Sequence, residues 1–122
     1  MADQRVRAIR GATTVPEDSP EAIAQRVQEL LGELLERNGL TTDSVISVVF
    51  TATPDLVSAF PAAAARSIGF GSVPLICAAE IDVPGAMARC VRVMAHVELP
   101  TGAEARHVYL HEAKGLRDDL PA

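Results

Sequence analysis

The sequence is poor in aromatic side chains, which make up 3% of its 122 residues, with no tryptophan and a single tyrosine, Tyr109. Its core must therefore be built from Val, Ile, Leu and Ala, and base stacking of the kind that holds single-stranded nucleic acid has almost nothing to use. Positive charge is also in deficit. Eleven Lys and Arg against sixteen Asp and Glu give a net charge of -5, so affinity by counterion release is excluded and neither DNA nor RNA is expected as a partner. Lysine is almost missing: ten of the eleven basic residues are Arg, and Lys114 is the exception. Cysteine is scarce too. Cys77 and Cys90 lack the CxxC spacing, which argues against a disulfide framework and for a reducing compartment. No apolar run approaches the roughly 18 residues of a membrane span. The start, Met1-Ala2-Asp3-Gln4-Arg5, has no apolar stretch of the secretory type, so a cytoplasmic location away from membranes is expected.

What remains is the composition of a folded chain, with 48% apolar and 22% charged residues, at a length that predicts one domain over residues 1–122. A long helix is predicted from Ser19 to Asn38, with Ser19 as N-cap and Pro20 in the first helical position. Ile23, Val27, Leu30, Leu31, Leu34 and Leu35 recur at steps of three and four, which paints one apolar stripe. Strands are expected at Val6–Thr14, Val45–Thr53, Val73–Asp82, Arg89–Glu98 and Ala105–Leu110, with a short Ala-rich helix opened by Pro61 and stopped by Gly69. The order implies an α+β fold with a mixed five-stranded sheet. One long helix covers one sheet face and the short helix cannot cover the other, so self-association is expected, with a ligand cleft between subunits.

The fourth predicted strand has two unlike faces. Val91, Val93, Ala95 and Val97 alternate with Cys90, Arg92, Met94, His96 and Glu98, so Arg92 falls on the face away from the core. His107 and His111 stand four apart, and Cys77, Cys90 and His96 could join them, but no recognised zinc spacing is present and no metal is expected. There is no G-x-S-x-G elbow. The Gly69-Phe70-Gly71-Ser72 run follows a helix and precedes a strand, the reverse of a phosphate loop. The abundant Arg residues reflect either a lineage bias or a set of guanidinium forks for carboxylates. Glu80 sits in the apolar run LICAAEI. There it either faces water at a strand end or pairs with a cation or hydroxyl.

The segments RAIRGATTV, TATPDLVSAFPA, VPLIC with the following Glu80, RCVRVMAHV, RHVYL and the terminal LRDDL together resemble the small monofunctional chorismate mutases of the AroH class. The blocks run in family order from Arg7 to Leu120. The resemblance implies a homotrimer, a pseudo α/β barrel with sites between subunits, and isomerisation of chorismate to prephenate with no cofactor, metal or covalent intermediate. It implies that Arg92 stands at the ether oxygen, and that Arg10 contacts a carboxylate and the ether region. Glu80 accepts from the ring hydroxyl, aided by the backbone at Cys77, and Tyr109 donates to a carboxylate. Phe60, Ala62 and Leu75 are implied as walls, Arg66 and Arg117 as basic contacts at the mouth, and Lys114 to Leu120, including Leu116, as a mobile cover. Ala63 stands where the best-known relatives carry Lys, and Ile76 where many carry Thr. A regular strand puts Cys77 and Glu80 on opposite faces, so a bulge or strand end is expected between them. The alternative is a catalytically silent trimer that binds a small carboxylate ligand. A trimeric enamine or imine deaminase is a remoter choice, because the IRGATT and FPA segments do not fit it.

Overall fold

A computed structural model of the chain describes residues 3–116. Five strands, β1 (Gln4–Thr14), β2 (Val45–Ala52), β3 (Leu75–Ala79), β4 (Cys90–Pro100) and β5 (Val108–Tyr109), form one sheet in the order β3-β2-β4-β1-β5. Helix α1 (Pro20–Arg37) joins β1 to β2, and α2 (Pro61–Ala65) lies between β2 and β3. The sheet is mixed: β4 runs antiparallel to both β1 and β2, whereas β2 with β3 and β1 with β5 are parallel.

Helix α1 forms where the sequence places it. The Ser19 hydroxyl accepts from the Ala22 N–H, Pro20 opens the first turn, and Ile23, Val27, Leu30, Leu31 and Leu34 are buried. These meet Ile9, Val48, Phe50, Val91, Val93, Ala95 and Val97 from one sheet face in a single core. Each buried large aliphatic contributes about 1.5–3 kcal/mol. Leu35, at the stripe's edge, is only partly buried against that core.

Several boundaries differ from the periodicity. Strand β3 ends at Ala79 and starts at Leu75, since Pro74 precedes it and contributes only its carbonyl to the Val48 N–H. Strand β1 starts at Gln4 and β4 runs on to Pro100, because the two pair continuously from Gln4↔Pro100 to Thr14↔Cys90. Arg89, expected in β4, turns instead with a φ of 46°. Strand β5 has two residues in place of the expected six. The Ala-rich helix ends at Ala65 and passes into a wider turn, Arg66–Phe70, which Gly69 closes with a φ of 103°.

The second sheet face is largely open. Strand register places Ala8, Arg10, Val49, Thr51, Ile76, Ala78, Arg92, Met94 and His96 on it. Only one end is covered, where the turn His111–Leu116 folds over Ala12 and Cys90 through Ala113, with Tyr109 and Leu116 packed alongside.

Candidate active site

Cross-strand register builds the site. Arg92 in β4 lies opposite Ala12 of β1 and Thr51 of β2, and Arg10 lies opposite the next open-face residue, Met94. Tyr109 pairs with Ala12 from the other edge. The result is a cleft of about 590 Å³ bounded by Arg10, Thr51, Arg92, Met94, Tyr109 and Leu116, with Gly11 and Val49 in its lining. That volume lies within the range of small-ligand sites.

Glu80 follows directly after β3, and its N–H still donates to the Ala52 carbonyl. Its carboxylate accepts a hydrogen bond from the Thr51 hydroxyl and lies 3.7 Å from Arg92 Nε. The carboxylate in the apolar run is thus paired with both a cation and a hydroxyl. Strand β3 does end between Cys77 and Glu80, yet the alternation carries through: Glu80 joins Thr51 and Arg92, while Cys77 packs against the core. With two guanidiniums against one carboxylate, the cleft is a cationic spot on a net acidic chain. It suits an anionic ligand that offers oxygens to planar donor forks.

Cys90 begins β4 two residues before Arg92. Burial pushes its thiol up from the ordinary value, with the positive charge of Arg92 opposing. Its N–H donates to the Thr53 hydroxyl, and the Arg89 N–H donates to the Asp55 carboxylate. The loop after β2 thereby sets where β4 starts.

The other residues singled out in the sequence are not all at this cleft. Phe60 and Cys77 line a second depression of about 480 Å³ beside the edge strand β3. The two clefts share no lining residue. Phe60 is 73% exposed. Its segment is tied back by Asp18, whose carboxylate accepts from the Val57 and Ser58 N–H groups. The Ser58 hydroxyl, helped by those two backbone groups, holds the Asp18 carboxyl below its ordinary value of 3.8 against the opposing cost of desolvation. Ala62 is buried in the core, Leu75 is half-buried against it, and Arg66 is exposed in the turn after α2. None of these three lines either cleft. Arg117 and the segment beyond it lie outside the described residues, whereas Leu116 closes one end of the first cleft. Sequence reasoning overlooked Thr51. Its place on the open face of β2 was readable from the alternation, but its register with Arg92 was not. The three histidines do not converge: His96 Nδ1 lies beside the Ser47 hydroxyl, His107 Nδ1 accepts from the Arg10 N–H, and His111 Nε2 meets Glu29. Among the described residues no helix is long and apolar enough to cross a membrane.

A family model described as chorismate mutase type I matches residues 6–120. The chain is 53% identical over 117 residues to chorismate mutase AroH of Thermus thermophilus, covering 94% of this chain and 96% of that protein. It is 42% identical over 117 residues to chorismate mutase AroH of Bacillus subtilis, covering 94% and 92%. Among solved structures, a chorismate mutase from Clostridium thermocellum superposes with a TM-score of 0.84 at 49% identity, covering 89% of this chain and 98% of that one. Similarity of that extent over nearly every element that shapes the cleft shows that the chain belongs to the type I chorismate mutase family, with the α+β fold of the AroH class.

Proposed function

We propose that the protein is a chorismate mutase, an isomerase that converts chorismate to prephenate in the cytoplasm, on the route to aromatic amino acids. The observation that carries this reading is the grouping of Arg10, Arg92 and Tyr109 on one open sheet face, with Glu80 bound to Arg92, in a chain of this family.

The reaction asks little of covalent chemistry. The ether C–O bond of chorismate breaks while a C–C bond forms in a six-membered chair, and electron pairs move only within the substrate. No proton, nucleophile or cofactor is consumed. Negative charge grows on the ether oxygen as the two carboxylates keep theirs. A guanidinium fixed at that oxygen therefore binds the transition state more tightly than the ground state, and losing such a donor typically costs about 2.7–4 kcal/mol of barrier. Arg92 takes this role. Arg10 and Tyr109 hold carboxylate oxygens, and Glu80 accepts from the ring hydroxyl, so the flexible enolpyruvyl arm is held near its reactive conformer.

The working unit we propose is a homotrimer of this single-domain chain. Val57, Phe60, Ile76 and Ile81 are 79%, 73%, 63% and 84% exposed around β3 and its loops, a patch of the kind a partner covers. Docking it near the Arg92 cleft of the next subunit brings Phe60, Cys77 and Arg66 to a site they do not reach within one chain. It also removes water from a guanidinium whose side chain is 49% exposed here, which strengthens its field. The test is to mix purified protein with chorismate and follow the loss of its ultraviolet absorbance, checking product by acid conversion of prephenate to phenylpyruvate. Rapid loss is expected. An unchanged absorbance from a protein that still binds chorismate contradicts the enzyme and supports the silent binder.

A further inference from the structure

We infer that His107 is a positioning residue for Arg10: its imidazole replaces a missing strand partner and fixes the backbone that carries this guanidinium into the cleft. The inference rests on the reading of the cleft as the chorismate site.

The geometry begins with a gap in the sheet. Strands β1 and β5 pair in parallel with Gly11 opposite Val108 and Ala12 opposite Tyr109, and the Leu110 N–H donates to the Ala12 carbonyl. Continued by two residues, this ladder would give the Arg10 N–H to the carbonyl of Arg106. That carbonyl is taken. Asn38, the C-cap of α1, donates from Nδ2 to the Arg106 carbonyl at 3.0 Å, and its Oδ1 accepts the Arg106 N–H at 2.8 Å. Residue 106 is thereby drawn to the helix end and away from β1, which is why β5 has two residues and not six. The Arg10 N–H is left to the side chain of the next residue, and His107 Nδ1 accepts it at 2.9 Å. An N–H donates to Nδ1 only when that nitrogen carries no proton, so the contact selects the neutral tautomer with its proton on Nε2.

The consequence falls on the cleft. Arg10 is the last residue of β1 before the fully paired stretch, and its side chain lines the cleft with Arg92 and Tyr109. With its N–H unpaired, the strand can shift locally at this point. An error of about 1 Å in a group that orients substrate can cost up to roughly 100-fold in rate. The carboxylate that Arg10 contacts stays charged throughout, so that part of its binding is uniform and its loss appears in KM, while its contact at the ether region, where charge grows, appears in kcat.

Four variants and one spectrum test this. His107→Leu removes the acceptor, whereas His107→Asn places Oδ1 near the position of Nδ1 and keeps it. We expect His107→Leu to lower kcat/KM roughly tenfold, with KM raised and kcat lowered together, and His107→Asn to recover to within about threefold of wild type. Asn38→Ala, which frees residue 106 to rejoin the ladder, should weaken or abolish the 15N–15N coupling across the hydrogen bond between the Arg10 amide and the His107 ring, a coupling expected in the wild-type protein. Equal kcat/KM in wild type and a folded His107→Leu, equal losses in the Leu and Asn variants, or no coupling in the wild type each overturn the inference. A wild type that leaves chorismate unchanged while showing the coupling refutes the enzymatic reading, and with it any part for His107 in turnover. Should His107→Leu fail to fold, the comparison of His107→Asn with His107→Gln, whose acceptor stands one methylene further out, decides by the same split: Gln must lose more than Asn.

Discussion

Arg92 is gripped by contacts that are too exposed to add much to folding. Ion pairs with half-exposed partners are worth about 0–1 kcal/mol, and here Arg92 meets Glu80 at 3.7 Å with side chains 49% and 24% exposed. The pair therefore matters for aim more than for stability, and Thr51 completes it by donating to the same carboxylate oxygen. Thr51→Val should lower kcat by three- to tenfold with little change in thermal midpoint, and Thr51→Ser should restore it, an effect near the net worth of one ordinary hydrogen bond, about 0.5–1.5 kcal/mol. Steady-state kinetics on the folded variants checks this. Two-fold alternation in the RCVRVMAHV segment was enough to place Arg92 on the face away from the core. Thr51 escaped because its partner is set by register across the sheet, and alternation within one strand carries no register.

Helix α1 and strand β1 are packed at the limit of their approach. A Cβ added at Gly11 would stand 3.0 Å from Val93 Cγ2, 3.2 Å from Leu30 Cδ1 and 3.2 Å from the Val108 carbonyl, and backbone cannot yield as a flexible side chain can. Gly11→Ala should cost about 1–3 kcal/mol, read from denaturant unfolding, and should move Arg10 with it. The Asp18 tie from the start of α1 to the Phe60 segment has a pH signature. Its carboxyl is held below 3.8 in the folded state. A depressed carboxyl stabilises the fold above the unfolded value, and this is lost as pH falls through the folded one. Asp18→Asn should therefore lose less thermal stability than wild type between pH 7 and pH 3. An equal loss in both contradicts the tie. At this scale α1 was legible to its cap, since Ser19, Pro20 and the apolar stripe all agree. Strand β5 was not: the HVYL run reads as strand, but Asn38 takes both backbone groups of Arg106, a tertiary contact spanning 68 residues that local pattern cannot hold.

The molecule as a whole carries its basic residues and its apolar wall in separate places. Arg10 and Arg92 line one cleft, Phe60 and Cys77 another, and in the proposed trimer closed rotational symmetry would bring the two together in every copy. Purified Arg92→Ala and Phe60→Asp variants should each be inactive, whereas chains unfolded together and refolded as a mixture should recover about a quarter of wild-type activity, the random share of sites that draw both intact halves. No recovery, with mixed trimers shown to form, contradicts a shared site. An open sheet face was foreseeable from counting helices against strands. The separation of the two clefts was not, because it depends on how the loop at 53–60 leaves β2 and returns beside β3.

The proposed reaction turns on a planar, fixed guanidinium at position 92 that stabilises charge growing on the ether oxygen. The most direct measurement is kcat for Arg92→Lys with chorismate, taken on a variant whose assembly and unfolding match wild type. Lysine keeps the charge and loses the fork. A fall in kcat of about 100-fold or more is expected. Turnover within threefold of wild type would contradict it.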